Sequence, residues 1–163
     1  MIAMIVSVGG VGYLRPASGT WGSAFAFPLA GLLWLIGGPW ALLIATPLTY
    51  FLGLWAVRHH IEGSANTDPS EVVIDEVAGQ FLTLWPVAIS AWWTGFTPLH
   101  LWPGLVAAFF IFRFFDIFKM GPAKRADDRG DATGVMLDDI WAGGFAALAV
   151  VALAVVGHGI MRL

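Results

Sequence analysis

The sequence predicts an all-α, polytopic membrane helical bundle of about five spanning helices, with an N-terminal interfacial or re-entrant helix, in one domain over residues 1–163. Three observations carry this expectation. Hydrophobic residues make up 58% of the chain and charged residues only 12%, where a soluble domain carries about 25% charged. Charge is absent from residues 16–57, 77–112 and 140–161. A spanning helix needs about 20 apolar residues, so the first two windows fit helical hairpins and the third a single span. The turns fall at Gly37-Gly38-Pro39 and Thr94-Gly95-Phe96-Thr97-Pro98, where Gly and Pro supply the bend. This composition excludes an ordinary soluble globule, a disordered tail and a coiled coil. With no cysteine, disulfides, thiolate zinc sites and phosphocysteine chemistry are excluded too. A net charge of −3 without a general basic patch argues against nucleic acid as a partner.

Residues Met1–Tyr13 are apolar but too short to span, and they lack the basic start of a cleaved signal peptide. Spans are expected near 22–37, 40–57, 77–93, 101–118 and 138–157. Pro47 and Pro86 lie inside spans, where membrane helices tolerate proline with a local kink. Trp92 and Trp93, at a hairpin tip, suit the lipid–water interface. Five spans place the N-terminus and the 58–76 and 119–137 loops on one side. Arg15, Arg58, Lys119, Lys124, Arg125 and Arg129 fall there, against Arg162 on the other, so the positive-inside rule makes that side cytoplasmic. All 11 acidic residues, Glu62 through Asp139, lie in or beside the same loops. Acids do not set topology, so their concentration points to a polar site facing the cytoplasm. His59 and His60 read as headgroup residues beside Arg58, and His100 and His158 fall away from the acidic face.

Four segments border that face. In Arg15-Pro16-Ala17-Ser18-Gly19-Thr20-Trp21-Gly22-Ser23, small residues and hydroxyls precede an apolar run, so Thr20 or Ser18 is expected to cap a helix start. Free N–H donors near Arg15 would also suit an anion such as phosphate. In the second segment, Asp68-Pro69 leads to Asp75 and Glu76 at the head of a span, with Gln80 one turn further in. Adjacent acids diverge by about 100° on a helix, so both reach one wall of a site only with help. In the third, Arg113, Asp116 and Lys119 recur every three residues among phenylalanines; Arg113 and Asp116 can pair, or the stripe can hold phosphate and metal. In the fourth, Asp138 and Asp139 open a span, and Ala142, Gly143 and Gly144 permit close helix packing. Carboxylates from three helices thus converge, and such a cluster stays ionised only around a cation. Hard oxygen ligands without Cys or a His cluster favour Mg²⁺.

Taken in order, the segments resemble the phosphatidylglycerophosphatase A family of bacterial membrane lipid phosphatases. The matching elements are Gly19-Thr20-Trp21-Gly22-Ser23, Asp68-Pro69 with Asp75-Glu76-Val77-Ala78-Gly79, Phe112-Arg113-Phe114-Phe115-Asp116-Ile117-Phe118-Lys119, and Gly134 through Gly143. After Lys119 the family's proline-rich turn keeps only Pro122. The resemblance implies Mg²⁺-dependent hydrolysis of phosphatidylglycerol phosphate to phosphatidylglycerol and inorganic phosphate, at the inner membrane, with the site facing the cytoplasm.

On this reading Asp75, Glu76, Asp116, Asp138 and Asp139 supply the metal shell and the catalytic carboxylates, while Arg15, Thr20, Ser23, Arg113 and Lys119 hold the phosphate. Glu76 or Asp139 would act as base toward an in-line water; the competing route makes a phosphoaspartyl intermediate on Asp116 or Asp138. Histidine-nucleophile, haloacid-dehalogenase and CDP-alcohol transferase patterns are absent. The alternative from another class is a transporter or a non-catalytic membrane subunit with an acidic metal site. A transporter would want ionisable residues at mid-span, and these spans are clean at their centres. An oligomer is compatible with the sequence, but no feature fixes its number.

Overall fold

The structure, a computed structural model, describes residues 1–160, with side chains described through Gly157; the His158 and Arg162 side chains lie outside the described residues. Every regular element among the described residues is helical. The order is α1 (Ile2–Val6), α2 (Ser18–Ile61), α3 (Ile74–Thr94), α4 (Trp102–Phe118), α5 (Pro122–Asp127) and α6 (Ala132–Ile160), with short 3-10 turns at Val11–Tyr13 and Pro98–Leu101.

Helix α2 is two helices joined at a break. Gly37 and Gly38 leave helical geometry, and Gly38 takes a φ of 59°, which a residue with a Cβ adopts only at a cost. The chain folds back there. Gly22, early in the first limb, packs on Val73, while Gly53, late in the second, packs on Met136 and Ile74. Both ends of α2 therefore meet the start of α3. The expected turn at Gly37-Gly38-Pro39 is where the chain reverses. The second turn also falls as expected: α3 ends at Thr94, and Gly95 (φ 73°) closes it by donating its N–H to Ala91 and Trp92 carbonyls.

Helix α3 is the hub. It is buried along most of its length, including Asp75, Gln80 and Thr83. Against α6 the backbones nearly touch: a Cβ on Gly143 would lie 2.4 Å from the Gly79 carbonyl oxygen. Small residues allow such approach between membrane helices, where packing and interhelical hydrogen bonds drive association. Thr83 adds a bond of that kind, its hydroxyl lying 3.0 Å from the Gly79 carbonyl and 3.3 Å from that of Gly143. On another face Trp85 donates its indole N–H to Thr46 on the second limb of α2 at 3.0 Å. Helix α4 reaches α6 through Phe112, packed with Ala142 and Ala146.

Among the described residues three helices are long and apolar enough to cross a membrane: Ser18–Ile61, Pro98–Phe118 and Ala132–Gly157. Their outward residues, such as Leu35, Ile44, Phe110 and Leu148, are exposed. A surface so apolar suits lipid, in which helices keep every backbone bond internal. Helix α3 does not join this set. It carries polar residues such as Gln80 and Thr83 inward, and its outward apolar residues, Ile89, Trp92 and Trp93, gather toward its end. The N-terminal segment forms only the one-turn α1 and a 3-10 turn, and it docks back on the chain before α3 through a bond from the Val73 N–H to the Val6 carbonyl (2.9 Å).

The start of α6 is set by Asp131, whose Oδ1 accepts the Gly134 N–H at 2.7 Å, an N-terminal cap in a loop that reads as a plain solvated turn. Arg129, followed by the Gly134 N–H, holds the Asp131 carboxyl below the usual carboxylate range. A depressed folded pKa means that this contribution is present above the ordinary value and fades as pH falls through the folded one. Replacing Asp131 by Ala should lower stability by about 1 kcal/mol, whereas Asn should retain most of it. Thermal unfolding of the detergent-solubilised chain checks this, and an unchanged Asp131→Ala midpoint would remove the cap from the account.

Candidate active site

The site is built where the starts of α3 and α6 meet the end of α4. Asp75 and Glu76 occupy the first turn of α3, where the helix dipole favours negative charge. The Glu76 N–H donates to Asp75 Oδ1 at 3.0 Å, and the Asp139 N–H donates to Asp138 Oδ1 at 2.9 Å. In each pair the first carboxylate is thereby folded against the backbone N–H of its neighbour. The close α3–α6 approach then sets Asp139 beside the α3 pair. A Cβ on Gly79 would lie 2.5 Å from the Asp139 carbonyl oxygen and 2.7 Å from the Phe112 ring. As a result Asp75, Glu76 and Asp139 each offer an oxygen within 4.8 Å of the other two. The help that two diverging acids needed comes from the third helix.

Lys119 departs from the expected stripe. It lies just past the end of α4 in the left-handed region (φ 43°), a conformation costing about 1–2 kcal/mol for a residue with a Cβ. This turn swings its side chain away from Arg113 and Asp116. The ammonium pairs with Asp138 of α6 and, at 2.9 Å, with Asp127 of α5. Burial alone would lower its pKa, but the bonds to Asp138 and Asp127 outweigh burial and hold it above the ordinary lysine value. Pro122 starts α5 with its fixed φ, and that short helix delivers Asp127.

Arg113 and Asp116 do pair, on one face of α4. Arg113 Nη1 also lies 3.4 Å from Ser23 Oγ, whose hydroxyl in turn donates to the Gly19 carbonyl at 2.9 Å. Gly19 is where these groups meet: a Cβ there would lie 2.2 Å from Glu76 Oε1 and 3.2 Å from Arg113 Nη1. No other residue leaves room for both side chains.

These groups surround a polar cavity of about 240 Å³, lined by all five predicted acids (Asp75, Glu76, Asp116, Asp138 and Asp139) and by Lys119. Arg113 and Ser23 stand behind it. Ser23 is fully buried and reaches the site through Arg113. Arg15 and Thr20 are not in the lining, and Arg15 is exposed. Neither Thr20 nor Ser18 caps α2: the capping position is Ala17, without a side-chain bond, and Ser18 lines the cavity instead. The lining adds Asp68 and Ser70, whose functional weight was hidden in a polar loop. The Asp68-Pro69 pair was the available signal. Burial raises the Asp68 carboxyl above the usual range, against the pull of Lys119, and Asp127 and Asp116 add to the rise.

The cations are unevenly shared. Arg113 serves Asp116, and Lys119 serves Asp138 and Asp127. Among the described residues no salt bridge reaches Asp75, Glu76 or Asp139, although Asp75 and Asp139 are only 7% and 3% exposed. Buried Glu76 Oε2 has no hydrogen-bond partner among the described residues. Ionised carboxylates so placed need a compensating cation. Three oxygens within 4.8 Å, all hard donors, fit a divalent ion of the Mg²⁺ type.

The chain matches the family model described as Phosphatidylglycerophosphatase A over residues 4–154. A Haemophilus influenzae protein named phosphatidylglycerophosphatase A is 32% identical over 151 residues, covering 91% of this chain and 86% of that protein. The Escherichia coli protein of the same name is 29% identical over 142 residues, covering 85% and 76%. A Bacteroides thetaiotaomicron protein, provisionally named a phosphatidylinositol-3-phosphatase, is 34% identical over 119 residues, covering 73% and 65%. No solved structure matches. The family model spans nearly the whole chain and every element of the cavity, and the chain belongs to the phosphatidylglycerophosphatase A family.

Proposed function

We propose that the chain is a Mg²⁺-dependent phosphatase that removes the terminal phosphate of phosphatidylglycerol phosphate, leaving phosphatidylglycerol and inorganic phosphate. The observation that carries this reading is the trio Asp75, Glu76 and Asp139, without a bonded cation among the described residues, in a cavity that also holds a lysine and an arginine-backed carboxylate. Membership of the family and the names of the Haemophilus influenzae and Escherichia coli relatives supply the substrate.

Phosphoryl transfer needs positioning and charge neutralisation more than covalent chemistry from the protein. A divalent ion bound by Asp75, Glu76 and Asp139 would supply charge neutralisation for the phosphate oxygens. Asp116 and Asp138 complete the acidic wall, each oriented by its own cation. Lys119, at the cavity wall, and Arg113 behind it are the cations placed to attract a phosphate monoester. Whichever of Glu76 and Asp139 keeps an oxygen free of the ion takes the proton of the attacking water as the water oxygen bonds to phosphorus, and returns it to the glycerol oxygen as that oxygen's bond to phosphorus breaks. Ser18 and Ser70 line the same cavity and can donate hydroxyl bonds to the phosphate. Arg15, exposed outside the cavity, is placed to meet a lipid headgroup before it enters.

The finer topology belongs to the same proposal. The two limbs of α2, with α3, α4 and α6, make five crossings in one domain of the bacterial inner membrane, and the cavity opens to the cytoplasm. The acyl chains then stay among the apolar helices while the headgroup reaches the acids. A reporter active only in the periplasm, fused within residues 119–137, should be silent; activity there would invert the topology.

Purified chain should release phosphate from phosphatidylglycerol phosphate with Mg²⁺, lose release on chelation and regain it on re-addition. Glu76→Gln and Asp139→Asn keep size while removing charge, and each should lower kcat by roughly 100-fold or more. Turnover indifferent to Mg²⁺, or intact in both variants, would refute the metal-assisted reading.

A further inference from the structure

Behind the cavity lies a polar side chain that the reaction described above does not use. Gln80 is fully buried, and neither its amide oxygen nor its amide nitrogen has a hydrogen-bond partner among the described residues. A buried amide left this way costs about 1–3 kcal/mol, so it calls for an explanation. A leucine would fill the position without that cost.

Its register gives the explanation. Gln80 is four residues after Glu76 on α3, so the two share a helix face one turn apart. Two other buried atoms lack partners, Glu76 Oε2 and Arg113 Nε. Glu76 and Arg113 are themselves neighbours, meeting over Gly19, and Arg113 is held there by Ser23 one turn further into the bundle. The orphaned groups are complementary. Glu76 Oε2 accepts only, Arg113 Nε donates only, and a carboxamide does both. Of the buried unpartnered groups, Gln80 alone can donate to the carboxylate and accept from the guanidinium.

We propose that Gln80 is a positioning residue. Its amide N–H₂ holds Glu76 Oε2 and its amide oxygen holds Arg113 Nε through buried water, since no direct bond joins them. Glu76 Oε1 is thereby turned toward the cation trio, and Arg113 is kept in the plane that serves Asp116. The amide couples the metal-side carboxylate to the phosphate-side guanidinium from below, and the inference rests on the cation site proposed above. Partners of this kind orient metal ligands, and their loss costs about 10–100-fold in metal affinity or activity.

The test uses the full chain in detergent micelles with Mn²⁺ as probe, titrated by the loss of its free electron paramagnetic resonance signal. Gln80→Leu should bind Mn²⁺ about 10–100-fold more weakly. Helical circular dichroism at the parent's level shows that the variant is folded. Its kcat for phosphate release should fall more than its KM changes. Gln80→Met, an unbranched apolar replacement of similar length, repeats the test should leucine's branch disturb packing. Parental Mn²⁺ affinity in the folded variants overturns the proposal, as does a parent that binds no Mn²⁺. If the parent binds Mn²⁺ and the variants bind it weakly, but phosphatidylglycerol phosphate is not hydrolysed, Gln80 keeps its role and the substrate reading fails.

Discussion

Carboxylates taken out of water cost several kcal/mol each unless a cation compensates them. This bundle gathers six around one cavity at the end of its most buried helix, Asp68 from the preceding loop among them. The arrangement of the remaining parts follows from that constraint. Two acids are answered from within the chain, Asp116 by Arg113 and Asp138 by Lys119. Asp75, Glu76 and Asp139 are brought to within 4.8 Å of one another and left without a bonded cation. A fold selected only for stability would replace them with apolar side chains. Three such carboxylates together are what the proposed cation site requires.

The packing details serve this geometry. Glycines at 79 and 143 let α3 and α6 approach until their backbones nearly touch, which brings Asp139 level with Asp75 and Glu76. Gly19 leaves the gap into which Glu76 and Arg113 both project. Lys119 accepts a left-handed backbone so that it faces α5 and α6 rather than continuing along α4. Each choice is locally unfavourable or neutral. Each acquires its reason from the cluster, as expected where functional sites break local rules.

Much of this was legible in the sequence because the physics of a membrane leaves strong marks. Long uncharged windows announce helices, Gly37-Gly38-Pro39 announces a reversal, and an acid in an apolar context announces a site. The five carboxylates were readable one by one as Asp75, Glu76, Asp116, Asp138 and Asp139, and their convergence followed from helices entering from one side. What resisted reading was set by tertiary packing. Ser18 and Thr20 resemble caps, yet Ala17 takes that position because the chain enters α2 with Ser18 turned toward the cavity. Lys119 follows Arg113 and Asp116 at helical spacing, but the helix has ended before it. Asp68 and Ser70 sit in a loop whose return over the cavity no local pattern encodes. Gln80 was visible as a polar residue on the Glu76 face, but its isolation from partners is a property of the packed bundle alone.

The account's central claim is that Asp75, Glu76 and Asp139 form a cation site in the folded bundle, and linkage tests it without reference to turnover. A ion that binds only the folded chain raises its unfolding temperature. Mg²⁺ should therefore raise the unfolding temperature of the detergent-solubilised parent in a concentration-dependent way. In a chain carrying both Glu76→Gln and Asp139→Asn, the metal-free temperature should equal or exceed the parent's, and the Mg²⁺ shift should vanish. A parent that Mg²⁺ does not stabilise, or a shift that survives both substitutions, would contradict it.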